Sequence, residues 1–162
     1  METRAPGYLF QMTKTENVDK QGLFNKELSN LYAIAKQTNH YFNGSDIYFL
    51  SEGVQQMLMD YLKLICQTEE MASEALDQMD VNPTNTKDSI VEEITENLRQ
   101  IADKDLDEPV KALSYQMSIN RLMGYHLANM ENIALLAKDQ KGLQPLLALR
   151  KDLSGYKEQL FA

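Results

Sequence analysis

Apolar residues along this chain recur at i, i+3, i+4 and i+7, and strand-like alternation is sustained nowhere. The pattern predicts an all-α protein. Its longest periodic stretch runs from Asp107-Glu108-Pro109 to Gln140-Lys141-Gly142, with Ala112, Tyr115, Ile119, Leu122, Met123, Leu127, Met130, Ile133, Ala134 and Ala137 on one broad face and His126 in its middle. Asp107 is read as the N-cap. Pro109 sits in the first turn, where a missing N–H costs nothing, and Gly142 closes the C-terminus. A helix of about 30 residues is about 45 Å long at 1.5 Å per residue, enough for one whole edge of a domain.

The same spacing predicts a first helix from about Asp19 to Thr38, with Phe24, Leu28, Leu31 and Ala35 inward. The segment from Asn39 to Ser45, with its Asn43-Gly44 turn signal, breaks it and leaves His40 as a solvated turn residue. A second helix is expected from Ser45 or Asp46 to near Met79, burying Val54, Leu58, Tyr61, Leu62, Ile65, Ala72, Leu76 and Met79, with Thr68 on the same stripe and Glu69 on its edge. Asp80 to Thr86, with Pro83, reads as a linker. Ser89-Ile90-Val91-Glu92 reads as a capping box that opens a shorter helix with Ile90, Val91, Ile94, Leu98 and Ile101 inward. After Gly142 a last helix carries Leu146, Leu149, Leu153, Tyr156 and Leu160. Four long helices and one short crossover helix predict an antiparallel four-helix bundle. Residues 1–17 are read as a flexible N-terminal extension and residues 18–162 as the bundle domain.

Composition adds a few exclusions. The net charge is −8 with no block of Lys and Arg, so nucleic acid and anionic membrane are not expected partners. One cysteine, Cys66, rules out an intramolecular disulfide. No signal-like segment and no apolar run of about 20 residues is present, so a cytoplasmic protein is expected. Cys66 is read as a packing residue, and Met57, Met71, Met79, Met117, Met123 and Met130 as core filler. There is no Gly-rich phosphate loop, no HExxH and no nucleophile elbow, so no catalytic residue is assigned.

Several stretches resemble a known family. Leu31-Tyr32-Ala33-Ile34-Ala35-Lys36-Gln37 is similar to the first-helix motif of the YciE/YciF family, a stress-associated branch of the ferritin-like superfamily. Ile90-Val91-Glu92-Glu93-Ile94 resembles its linker helix. Gly124-Tyr125-His126, Ile133-Ala134-Leu135-Leu136-Ala137 and Gly142 resemble its third long helix and the following joint. Asn39-His40-Tyr41-Phe42-Asn43-Gly44 and Tyr48-Phe49-Leu50-Ser51-Glu52 are similar to the first interhelical turn of Dps-type mini-ferritins. The resemblance implies a ferritin-like bundle with a di-iron site of inward carboxylates and imidazoles, which neutralise and complete the shell of two cations.

The ligand positions of that pattern fall on Ala35, near Thr68 and Ala72, on Met123 and Gly124, on His126, and near Asp152 and Leu153. In the mini-ferritin pattern His40 survives, while Leu58 and Leu62 stand where acids are expected. The implied protein is therefore a ferritin-like module with a degenerate di-iron site. It is expected to be non-catalytic, structural or interactive, free of cofactor and homo-oligomeric, with a dimer favoured. The competing expectation is a metal-binding protein handling iron or peroxide, with Glu69 and His126 as candidate ligands beside Glu131 or Asp152. Against it, His126 is read as a buried imidazole hydrogen-bonded to Thr68, Glu69 or a tyrosine.

Overall fold

The computed structural model describes residues 16–83, 86–137 and 141–162, and within them the chain forms five α-helices and no strand. They are α1 (Glu16–Phe42), α2 (Glu52–Gln78), α3 (Ser89–Asp103), α4 (Glu108–Leu136) and α5 (Gln144–Gln159), with one 3-10 turn at Lys141–Leu143. Residues 1–15, most of the expected N-terminal extension, lie outside the described residues, and α1 begins at Glu16. No described helix is long and apolar enough to cross a membrane.

Contacts along the helices fix their directions. Tyr41 and Tyr115 share a hydroxyl–hydroxyl hydrogen bond of 3.1 Å at one end of the α1–α4 pair. Towards the other end, Asn129 Nδ2 donates to the Glu27 carbonyl at 3.1 Å, so α1 and α4 are antiparallel. Gln116 Nε2 donates to the Leu160 carbonyl at 2.9 Å, and Gly124 lies beside Lys157, so α4 and α5 are antiparallel as well. Phe24 from the start of α1 joins Met71 and the cap residue Met79 at the end of α2, and Leu143 of the 3-10 turn and Leu146 at the start of α5, around a cavity of about 250 Å³. The ring of neighbours is thus α1, α2, α5, α4. Helices α2 and α4 run the same way, and α3 carries the chain back along the bundle between them. The core fills the space inside this ring, with Leu28, Leu31, Leu58, Ile65, Leu122 and Leu153 fully buried.

Local chemistry sets the ends of these helices, in places differently from the expectation. Helix α1 continues through His40 to Phe42, so His40 lies in a last helical turn and not in a loop. Gly44 then takes the left-handed backbone at φ +85°, which a glycine adopts at no steric cost. Helix α2 starts at Glu52, later than the expected Ser45 or Asp46, because Ser51 is its cap, accepting from Val54 N at 3.3 Å. The residues before it are held by packing instead. Leu50 is buried, and Phe49 stands edge-on to Tyr115 with centroids 5.0 Å apart. Helix α4 starts where expected, behind Asp107 and with Pro109 in its first turn, but ends at Leu136. Gly142 belongs to the 3-10 turn instead of closing α4.

The crossover helix is docked by one residue. Asp88, and not Ser89, caps α3: its Oδ1 accepts from Ile90 N and Val91 N, each at 3.0 Å. Its Oδ2 accepts from the Tyr125 hydroxyl at 2.6 Å. Gln37 brackets its backbone, accepting from Asp88 N at 2.8 Å and donating to Asp88 O at 3.1 Å. One buried aspartate therefore ties α1, α3 and α4 together. The capping-box reading placed the helix start one residue late by taking Ser89, and not the aspartate before it, as the cap.

Candidate functional site

His126 sits on the inner face of α4 with Leu122, Asn129 and Ile133, and is completely buried. Its Nδ1 faces the Tyr61 hydroxyl of α2 at 3.4 Å, and the two rings lie 6.1 Å apart at a tilt of 52°. Its Nε2 has no hydrogen-bond partner among the described residues. Either tautomer therefore leaves one ring nitrogen unpaired, which is costly in an apolar interior. Burial disfavours the charged ring and pushes the His126 pKa down to about 3. Burial likewise holds the Tyr61 phenol well above its usual range. At neutral pH this is a pair of uncharged rings.

The expected partners of His126 go elsewhere. Thr68 is buried, but its hydroxyl donates to the Leu64 carbonyl one turn back at 2.8 Å. Glu69 is half-buried and opens onto an outer groove of about 730 Å³. That groove is lined by Lys36, His40, Lys87 and Glu92 as well, and not by His126. Glu131 and Asp152 are exposed. The structure thus brings Glu69 together with His40 and leaves Glu69 and His126 apart. Among the described residues, no group of three or more His, Cys, Asp or Glu side chains is placed to hold a metal ion.

The remaining positions of the di-iron pattern can be placed one by one. Ala35, Leu58, Thr68, Ala72, Met123 and Leu153 are all buried and face the interior, as ligands would, whereas Leu62 and Gly124 are half-buried. None is a carboxylate or an imidazole. Among the described residues the only buried acid is Asp88, which is occupied as the α3 cap. Among the described residues the buried donors are the His126 imidazole, the Tyr61 and Tyr115 phenols, the Asn129 carboxamide and a few short hydroxyls. This set does not fit two iron ions, which need several carboxylates to offset their charge.

Some readings of single residues are corrected. Cys66 is exposed, so it is not a packing residue. Met117 and Ile90 are exposed too, whereas Met57 and Met130 are core as expected. The tyrosine partner of His126 is Tyr61, which the stripe on α2 had marked only as buried. The Asp88 node was missed, although an aspartate just before Ser-Ile-Val is itself a capping signal.

The fold and site define an all-helical bundle with an apolar centre and a neutral imidazole–phenol pair. No family model, curated protein or solved structure matches the chain.

Proposed function

We propose that the chain is a ferritin-like four-helix bundle whose di-iron site has degenerated, and that it works as a non-catalytic structural or interaction module in the cytoplasm. Support for the fold comes from the helix order. An antiparallel pair, a crossover along the bundle and a second antiparallel pair is the arrangement of ferritin-like bundles with one long connection. The observation that carries the loss of the site is the buried set Ala35, Leu58, Thr68, Ala72, Met123 and Leu153. These residues stand inward, in the pattern's ligand positions, and present methyl, thioether and hydroxyl groups there. The resemblance to the stress-associated family points to stress as the setting in which to seek its partners.

The iron- or peroxide-handling alternative would need Glu69 and His126 in one shell, and Glu69 opens onto the outer groove instead. Metal analysis of the protein purified without chelator separates the two readings. The module reading expects less than one iron or zinc per ten chains, unchanged in His126→Ala. Stoichiometric metal that disappears in His126→Ala would overturn it.

A further inference from the structure

Helix α4 carries a second stripe, nearly opposite the one that enters the core. Met117, Arg121, Gly124, Ala128, Glu131 and Leu135 follow one another at alternating separations of four and three residues. At about 100° per residue they fall within a sector of about 80°. This is the spacing of a coiled-coil seam. The stripe faces outward between α3 and α5, and five of its six members are exposed, Ala128 among them, with Gly124 half-buried. Met117 is 46% and Leu135 67% exposed, and Arg121 and Glu131 are exposed as well. Neither charged residue has an ion-pair partner among the described residues.

The stripe reads the same in both directions. Around its midpoint, at the level of His126, Gly124 mirrors Ala128, Arg121 mirrors Glu131 and Met117 mirrors Leu135. A second α4 laid antiparallel across it places each residue against its complement. Arg121 meets Glu131 twice, Met117 meets Leu135 twice, and the two small residues lie at the crossing, where they let the backbones approach. The side chain nearest to Gly124 is the Lys157 stem, whose Cε would lie 3.5 Å from an added Cβ. It is a flexible chain end and not backbone. A closed two-fold interface requires a self-complementary patch of this kind.

We propose that the outer face of α4 is the contact surface for a second copy of this chain, in an antiparallel two-fold dimer with reciprocal Arg121–Glu131 pairs. This rests on the module reading and deepens it by placing on α4 the dimer contact that the resemblance left without a surface. The two remain separable, because metal bound in the core would defeat that reading and leave the mass of the particle unchanged.

Light scattering on the full chain tests it, with helical circular dichroism as the folding control. The wild type is expected at twice the 18.6 kDa of one chain. Ala128→Glu at the crossing should halve the mass. Arg121→Glu alone and Glu131→Arg alone should do the same, because each sets like charges opposite one another. Mixing those two monomers should restore a dimer, since the mixed pair regains both ion pairs. The charge variants are surface changes and keep the test decisive if Ala128→Glu should fail to fold. A wild type that stays monomeric, a cage-sized particle, a dimer that persists in all three variants, or single variants that remain monomeric when mixed would each overturn the proposal.

Discussion

His126 shows how much one residue's surroundings decide. An imidazole at its ordinary pKa of about 6.5 would be partly charged near neutrality. Here burial holds it neutral down to about pH 3. The unfolded chain takes up a proton as pH drops through about 6.5, and the native chain does not, so the unfolded state binds more protons in that window. Stability from this residue is complete above pH 6.5 and is lost as pH falls towards about 3. Between pH 7 and pH 5 the loss should be ~2 kcal/mol. Chemical denaturation at both pH values checks it: the drop should shrink in His126→Gln, while an equal drop in both proteins would contradict the assignment. The Tyr61 hydroxyl is the ring's one hydrogen-bond partner among the described residues, so Tyr61→Phe should cost about 1–2 kcal/mol by leaving Nδ1 unpaired. The same change made in a His126→Leu background should cost much less, a difference that a double-mutant cycle reads directly.

At the scale of the helices, the ends carry the testable content. Asp88 caps α3, accepts from Tyr125 and is bracketed by Gln37, so Asp88→Ala should destabilise the fold by about 2–3 kcal/mol. Ser89→Ala should change stability by less than ~0.5 kcal/mol, since Ser89 is a first-turn residue and not the cap. The reverse order in thermal melts would restore the capping-box reading. Helix α2 ends in a Schellman arrangement, with Val81 N bonding Leu76 O at 2.9 Å and Asp80 N bonding Asp77 O at 3.0 Å. Asp80 occupies the left-handed position at φ +56°, where a Cβ is strained. Asp80→Gly should therefore raise stability, by about 1 kcal/mol. A lowered melting temperature would show that the aspartate earns its place through a contact of its own.

For the whole molecule, the number and order of helices followed from apolar spacing, because each inward stripe had to meet another. The stripes of α1, α2 and α5 landed on the core from Phe24 to Leu153, with Val54, Leu62, Met79 and Tyr156 half-buried at its edge. What the spacing could not flag was the apolar residue that lies off the core stripe. Met117 fits the helical period of α4 yet points outward, and Ile90 does the same on α3. Nor could it place the start of α2. The aromatic packing of Phe49 on Tyr115 is made between segments more than sixty residues apart and outweighs the Ser45-Asp46 signal. The candidate site was half legible. The buried imidazole was foreseen, but its partner depended on the rotation of α2, which turns Tyr61 inward and Glu69 towards the outer groove. The account as a whole rests on there being no inward acid, among the described residues, at the centre of the ring of four helices. Thermal unfolding with and without anaerobic ferrous iron probes that centre most directly, since any ion bound only by the native state must raise the melting temperature. The account predicts coincident melts, in the wild type and in His126→Ala alike. A rise with iron in the wild type that vanishes in His126→Ala would contradict it.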